Sequence, residues 1–220
     1  MSRDSWSQEL ADPGAGWLGE QVARLASPLT IDVLMGWLIA LAQSNVRYGA
    51  KKQGGGPYAA AVVRPLAAAE IPEHSPGNVS VELVSFAVNA VERCFDASAH
   101  APALAARFAG ARLQNHDLGP EGAGGLWLVS TSQPCGCCLG VLRAFRLFNV
   151  LYAVRGSTVQ KAAAQDRGIQ VPPIQMRLFR MVQLPAHQNA AAAVIGEWVR
   201  RLDNRGESNY NAPLDEDGGG

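Results

Sequence analysis

The stretch from Ser130 to Phe148 constrains the fold most, because it places three of the chain's four cysteines where the sequence pattern changes. The preceding run, Leu126 to Ser130, is short and apolar, which is typical of a buried strand. After the cysteines, Leu139, Leu142 and Phe145 recur at helical spacing. We therefore expect the cysteines to occupy a strand-to-helix turn.

The three cysteines, Cys135, Cys137 and Cys138, directly follow Pro134. The N-terminus of a helix carries unpaired N–H groups and a partial positive charge, which stabilise thiolates as metal ligands or nucleophiles. A cluster of three cysteines and one distant cysteine does not suggest a disulfide framework, and the adjacent Cys137 and Cys138 are poorly placed to pair. The cluster predicts a metal site or a reactive thiol.

Composition excludes several classes of function. The chain has 220 residues, enough for one domain with a substantial core. Its 19 basic residues balance 19 acidic ones, and no long basic run occurs, so nucleic acid is not an expected partner. The most apolar stretch, Leu29 to Ala42, is well short of the roughly 20 residues that span a bilayer, and the first residues lack a signal core. We expect a cytoplasmic protein without a membrane segment.

Hydrophobic periodicity predicts alternating helices and strands. Residues 1–16 should form a flexible lead-in, 17–210 a single domain and 211–220 a disordered tail. Apolar runs predict strands at Tyr58 to Val63 and Asn149 to Val154, and the spacing of Val84, Val88 and Val91 predicts a helix over Val81 to Cys94. The predicted fold is a three-layer α/β/α sandwich around a mixed central sheet.

Several motifs resemble one known family. Pro134-Cys135-x-x-Cys138 between a strand and a helix is half of the zinc deaminase signature, whose other half is His-x-Glu. The stretches Gly55 to Val63, Ser132 to Gly140 and Asn149 to Ala153 also resemble motifs of the cytidine-deaminase-like superfamily, in particular its guanine deaminase and tRNA adenosine deaminase branch. This resemblance covers roughly residues 30 to 210. It implies a cytidine-deaminase-like fold, a zinc hydrolase acting on a nucleobase or nucleoside, and a dimer.

The His-x-Glu half of the signature is replaced in the alignment that this resemblance suggests. The run Val88 to Cys94 is similar to the helix that follows the motif, which aligns Ser85, Phe86 and Ala87 with it. In the family the histidine is the third zinc ligand and the glutamate shuttles protons. Neutral serine is a poor zinc ligand and alanine carries no proton, so the resemblance implies half of a site.

Other residues are candidates for the missing zinc ligand. His74 and His116 lie in predicted loops that flank the presumed pocket, and we assign His74 as the third ligand beside Cys135 and Cys138. A solvated loop histidine is the alternative interpretation of either residue.

The missing acid/base and the substrate contacts also have candidates. Glu82 lies one helical turn before Ser85 in the predicted helix, and Glu73 lies in the preceding loop, so we assign Glu82 as a relocated acid/base beside a catalytic Cys135. Asn78 is the candidate for the asparagine that reads the base in the family. Ser85 and Phe86 are the other candidate substrate contacts, with a turn-forming asparagine and a core phenylalanine as alternatives.

Three interpretations of the cysteine turn stay open. In the first, Cys135 and Cys138 hold zinc. In the second, Cys135 is a nucleophile in other chemistry. In the third, the cysteines are packing residues of a non-catalytic subunit. We expect a diverged deaminase homologue, altered from standard hydrolytic deamination, with a pocket for a nitrogen heterocycle or amine and a homodimeric assembly. The alternatives are a scaffold paired with an active deaminase-family chain, or a zinc deaminase with a relocated ligand and base. Partner subunits of that kind keep the histidine, which this alignment lacks.

Overall fold

The structure, a computed structural model, describes residues 29–48, 56–67, 70–163 and 177–204. The predicted lead-in over 1–16 and the predicted tail over 211–220 lie outside these residues, and so do both limits of the predicted domain. No helix among the described residues is both long enough and apolar enough to cross a bilayer.

One mixed sheet of six strands forms the centre of the fold. Its strands are β1 (Leu29–Thr30), β2 (Ala59–Pro65), β3 (Ser80–Val88), β4 (Trp127–Ser132), β5 (Asn149–Val154) and β6 (Arg180–Gln183). The order across the sheet is β1-β3-β2-β4-β5-β6. The pairs β1–β3, β3–β2 and β2–β4 are antiparallel, and the pairs β4–β5 and β5–β6 are parallel. The predicted mixed sheet is confirmed.

Helices cover both faces of the sheet. They are α1 (Ile31–Tyr48), α2 (Val91–Cys94), α3 (Ala101–Leu113), α4 (Gly136–Ala144), α5 (Gly156–Ala163) and α6 (Gln188–Asn204). One hydrophobic core joins the sheet to α1 and α6, and α5 packs against α6. A second core joins the opposite face to α3 and α4. The three-layer α/β/α sandwich is confirmed.

The two central strands explain why the layers form. In β2 the first five residues are fully buried, and in β4 every residue is buried. A strand covered on both faces has no solvent side, so its sequence is continuously apolar or small and does not alternate. The cysteine turn follows directly from this buried strand β4.

The predicted helix over Val81 to Cys94 is wrong. These residues form strand β3 up to Val88, and only the last four form the short helix α2. Val62 pairs with Ser85 but Val63 pairs with Leu83, so β3 carries one extra residue at a bulge. The bulge changes the phase of the alternation, and the valines on either side of it then imitate a helical period.

Candidate metal centre

The candidate site lies between the N-termini of two helices on one face of the sheet. Cys135 is the N-cap of α4 at φ −73° and ψ 173°, directly after β4. His100 is the N-cap of α3 at φ −76° and ψ 144°. Their backbone carbonyls accept the first helical hydrogen bonds, from Leu139 and Leu104, but neither side chain caps its helix. The two side chains instead meet each other.

Three ligand atoms form a compact triangle. Nδ1 of His100 lies 3.3 Å from Sγ of Cys135 and 3.6 Å from Sγ of Cys138, and the two Sγ atoms are 3.6 Å apart. Zinc with bonds of about 2.3 Å to sulfur and about 2.0–2.1 Å to nitrogen in a tetrahedral arrangement separates its ligand atoms by roughly 3.6–3.8 Å. The donor set and its spacing therefore fit a zinc ion. No carboxylate belongs to this group among the described residues.

The two thiols of the triangle differ in acidity. The hydrogen bond with Cys138, together with His100, lowers the pKa of Cys135 to about 4 against the opposing effect of burial. The same hydrogen bond and burial raise the pKa of Cys138 well above its ordinary value. The pair therefore carries one thiolate, on the partly exposed Cys135, before any metal arrives.

Cys137 is outside the triangle although it stands between the two ligands in sequence. Burial and the nearby Cys135 thiolate raise its pKa. Successive residues of a helix point to different sides, so Cys137 cannot share the site of Cys138. Cys137 is accordingly not among the three residues that could hold a metal ion.

Sequence reasoning missed His100. The stretch His100-Ala101-Pro102 stands where the His-x-Glu motif is required, but its third residue is not glutamate, and the false helix over Val81 to Cys94 drew the alignment to Ser85. A usable signal existed, because His100 directly precedes an alanine-rich stretch of helical composition and lies 35 residues ahead of Cys135. The described residues therefore bring together one histidine and two cysteines that could hold a metal ion.

Pro102 occupies the position of the glutamate. It is buried in the first turn of α3, where proline is well tolerated because the turn needs no amide donor there. Its ring has no ionisable proton, so Pro102 cannot act as an acid or a base.

Asp96 is the neighbouring carboxylate to consider as an acid or base. Asp96 precedes His100 by four residues, and its Oδ1 accepts hydrogen bonds of 2.7 Å from both the backbone N–H and the hydroxyl of Ser98. These bonds lower the pKa of Asp96, with a smaller contribution from Arg107. A carboxylate held ionised in this way is a poor proton carrier at neutral pH.

The sheet register shows which end of the molecule carries the site. Ala60 pairs with Ser130 near the end of β4, and Ala59 pairs with Val88 at the end of β3. The cysteine turn after β4 is therefore at the Val88 end of the sheet. Glu82 lies six residues earlier on β3, about 20 Å away at ~3.3 Å per residue.

Three predicted site residues belong to the far end of the sheet. Glu82 is exposed and pairs with Arg64 at 2.9 Å. Asn78 closes a single 3-10 turn before β3, and His74 lies in the loop that precedes this turn. The structure therefore does not bring Glu82, Asn78 or His74 to the cysteines, and His100 takes the place that we had given to His74.

Ser85 and Phe86 have structural contacts instead. The buried Ser85 hydroxyl donates a 2.7 Å hydrogen bond to the carbonyl of Ala105, which fastens α3 to β3. The ring of Phe86 stands edge-on to Trp37 with 5.0 Å between centroids, on the α1 side of the sheet. Phe86 is thus separated from α3 and α4 by the sheet itself.

Asn89, in contrast, was missed although it lies at the right end. It directly follows β3 and is 8% exposed. The next residue, Ala90, donates a 2.9 Å backbone hydrogen bond to the carbonyl of Ala99, the neighbour of His100. Asn89 is therefore tied to the start of α3, whereas Asn78 is not.

Comparison with known proteins gives a result only at the level of structure. No family model and no curated protein sequence matches this chain. The guanine deaminase of Nitrosomonas europaea superposes with a TM-score of 0.61 at 26% identity, over 80% of this chain and 90% of that chain. A mutant of the protein NE0047 in complex with 8-azaguanine gives the same TM-score at 25% identity and the same coverage.

A further solved structure, NE0047 in complex with 2,6-diaminopurine, has a TM-score of 0.60 at 23% identity over 88% of this chain and 90% of that chain. The shared fold thus extends over most of both molecules. Together with the Pro-Cys-x-x-Cys turn between β4 and α4, it shows that the chain belongs to the cytidine-deaminase-like superfamily.

Proposed function

We propose that this chain is a deaminase homologue that binds zinc and a nitrogen heterocycle but does not carry out standard hydrolytic deamination. The observation that carries the proposal is the triplet His100-Ala101-Pro102, which retains the ligand and replaces the proton carrier. The triplet also bears on the three interpretations of the cysteine turn. A complete set of ligands favours metal binding over a nucleophilic Cys135 and over cysteines that only pack in the core.

The metal would be held by Nδ1 of His100 and the Sγ atoms of Cys135 and Cys138. When bound, zinc acts as a Lewis acid that activates water for attack on a ring carbon. The thiolate of Cys135 is available for such binding at neutral pH because its pKa lies at about 4. The buried Cys138 must release its proton when the metal binds.

The ligand is proposed as a heterocycle from two observations. The similar solved structures contain 8-azaguanine and 2,6-diaminopurine, which are both purine-like. In this chain a buried amide, Asn89, lies beside the start of α3. Binding sites for small molecules use a few such polar groups to fix the orientation of the ligand.

Loss of the carboxylate sets the expected reaction outcome. Hydrolytic deamination moves a proton from the attacking water to the leaving ammonia, and a positioned carboxylate contributes roughly 10²–10⁴-fold to such a step. Pro102 cannot take part, and the relocated base that we assigned to Glu82 lies at the other end of the sheet. We therefore expect binding without efficient turnover.

The same triplet favours a second function, a non-catalytic subunit paired with an active deaminase-family chain. Sequence reasoning counted the absent histidine against this interpretation, because partner subunits that lack the glutamate keep the histidine. With His100 in the ligand group and Pro102 in place of the glutamate, that objection disappears. Homodimer formation and cytoplasmic location stay predictions.

Calorimetry with the full chain, purified without chelators, tests the proposal. We expect guanine or 8-azaguanine to bind the zinc-loaded protein with ammonia release at background. Rapid ammonia release would refute the loss of deamination, and no binding of any purine would refute the heterocycle site. Recovery of a deaminase-family chain from the source cell would favour the scaffold function over a separate binding protein.

A further inference from the structure

The two cysteines of the candidate metal centre also form a close pair of thiols. Their Sγ atoms lie 3.6 Å apart, and both Cys135 and Cys138 are free. A disulfide bond is about 2.05 Å long, so the two sulfur atoms would have to approach by roughly 1.5 Å to form one. The pair is therefore close to the geometry of a disulfide without being bonded.

The start of α4 explains why these two sulfur atoms meet. Cys135 is the N-cap of the helix, and its carbonyl accepts a 2.9 Å hydrogen bond from the N–H of Leu139. The side chain of an N-cap residue typically reaches back toward the second or third residue of its helix. The third residue here is Cys138. A Cys-x-x-Cys pair at the start of a helix is also the arrangement of redox-active dithiols.

The two thiols differ in their access to solvent. Cys135 is half-buried, so a small molecule can reach its sulfur atom, whereas Cys138 is only 2% exposed. Thiol–disulfide exchange begins when an accessible thiolate attacks a disulfide, and a neighbouring thiol then attacks the mixed disulfide that results. Cys135 suits the first step, and Cys138 suits the second, which needs no access from solvent.

The other two cysteines are placed outside this pair. Cys94 and Cys137 are also free thiols, but neither belongs to the group of side chains whose ligand atoms lie within 4.8 Å of one another. Cys137 is adjacent to Cys138 in sequence, and adjacent cysteines are poor disulfide partners. Both residues therefore serve as internal controls for chemistry at the pair.

We propose that the zinc-free chain is a dithiol that exchanges with low-molecular-weight disulfides, with Cys135 as the attacking residue and Cys138 as the resolving residue. Cys135 breaks the S–S bond of oxidised glutathione, forms a mixed disulfide and releases one glutathione. Cys138 then attacks Sγ of Cys135, closes an intramolecular disulfide and releases the second glutathione. The chain loses two electrons and two protons, and the two glutathione molecules gain them as thiols.

This oxidation and zinc binding exclude each other. Zinc takes cysteines as thiolates, and a disulfide has no thiolate to offer. The oxidised chain therefore keeps only His100 of the three side chains that could hold zinc. A bound zinc ion in turn withdraws both thiolates from exchange. This exclusion rests on the zinc site of the proposed function, whereas the exchange itself rests only on the pair of thiols.

Timed oxidation of the full chain tests the exchange. The chain is freed of zinc with a chelator under reducing conditions and treated with oxidised glutathione, and the remaining thiols are alkylated before tandem mass spectrometry. We expect a disulfide between Cys135 and Cys138, while Cys94 and Cys137 stay open to alkylation. No disulfide, or one that includes Cys94 or Cys137, would overturn the inference.

The effect of zinc is measured in the same experiment. Zinc at ten times its dissociation constant leaves about one-tenth of the chain metal-free, so the disulfide should form about tenfold more slowly. Removal of the glutathione and readdition of zinc should then give almost no metal in the oxidised chain and about one zinc per chain after reduction. An oxidised chain that still binds one zinc would overturn the exclusion.

Serine variants assign the two roles. Cys138→Ser should stop at the mixed disulfide, with one glutathione on Cys135, and Cys135→Ser should form neither product at this pair. Cys137→Ser is the matched control, because it changes the neighbouring thiol and should oxidise like the wild type. Far-ultraviolet circular dichroism would confirm that each variant is folded. A Cys138→Ser chain that carries no glutathione on Cys135 would overturn the assignment of the attacking residue.

The outcomes separate this inference from the proposed function. A reduced chain that forms the disulfide but binds no zinc would contradict the zinc site while it supports the dithiol. A chain that binds zinc when reduced, but whose zinc-free form does not react with oxidised glutathione, would overturn the inference alone.

Discussion

At the scale of single residues, two neighbouring positions determine what the site can do. His100 completes a group of three side chains that could hold zinc, and Pro102, two residues later, is not an acid or a base. Proline suits the first turn of a helix, so this residue costs the fold little at that position. The proposed function therefore separates metal binding from deamination.

Replacement of Pro102 by glutamate should restore the missing step. A carboxylate in the first turn of α3 is also favoured by the positive end of the helix dipole. In Pro102→Glu we expect ammonia release from guanine to rise roughly 100-fold above the wild-type rate, the contribution of one positioned acid/base. A coupled ammonia assay on zinc-loaded protein measures this rate.

The control for that experiment is Pro102→Ala, which removes the ring without adding a carboxylate and should stay at the wild-type rate. A wild-type chain as active as Pro102→Glu would show that another residue carries the proton. If Pro102→Glu and Pro102→Ala both bind zinc and are equally inactive, the chain lacks more than the carboxylate that deamination needs.

The thiol acidities predict which cysteine reacts in metal-free protein. Because the pKa of Cys135 lies at about 4, its thiolate dominates throughout pH 6 to 8, and its alkylation by iodoacetamide should be nearly independent of pH in that range. The raised pKa of Cys137 keeps that thiol protonated, so its rate should rise with pH. Peptide mass spectrometry after timed alkylation distinguishes the two sites.

Zinc added before the alkylation should protect Cys135 and leave Cys137 unchanged, which makes Cys137 an internal control. A Cys135 rate that climbs about tenfold per pH unit below pH 8 would contradict an ionised thiol. Equal protection of both cysteines would contradict the ligand assignment.

At the scale of secondary structure, the decisive element is β3. Its bulge opposite Val62 and Val63 puts both Val84 and Ser85 on the α3 side, and this broken alternation resembles a helical period in the sequence. The strands before the cysteines and at Asn149–Val154, and the helix at Ala101–Leu113, have unbroken patterns and were predictable. Local periodicity contains no sign of a bulge, so strand β3 was not predictable from its sequence.

The contact between Ser85 and α3 gives a prediction about stability. Ser85→Ala removes a buried hydrogen bond to the carbonyl of Ala105, and we expect a loss of about 1 kcal/mol in the free energy of unfolding. Zinc content should stay the same, because Ser85 is an anchor of α3 and not a ligand. Urea denaturation together with metal analysis measures both quantities.

Glu82→Gln, at an exposed position on the same strand, serves as the comparison and should change stability by less than about 0.5 kcal/mol. Loss of zinc in Ser85→Ala would restore the original alignment of Ser85 with the metal-binding histidine. Loss of zinc in Glu82→Gln would contradict its placement at the far end of the sheet.

At the scale of the whole molecule, the site exists because the sheet topology brings two helix starts together. Cys135 was predictable, since strand, turn and helix follow one another in sequence. The nearness of His100 to Cys135 was not predictable, because it depends on β2 lying between β3 and β4, which no local pattern specifies. The same topology places Glu82 and Asn78 at the opposite end of the sheet and Asn89 at the end that carries the site.

The central claim is that this chain holds zinc through His100, Cys135 and Cys138, and zinc content measured after purification without chelators tests it most directly. We predict about one zinc per chain in the wild type and in His74→Ala, and almost none in His100→Ala. Far-ultraviolet circular dichroism would confirm that all three proteins are folded. A wild-type chain without zinc, or a His100→Ala chain that keeps it while His74→Ala loses it, would contradict the account.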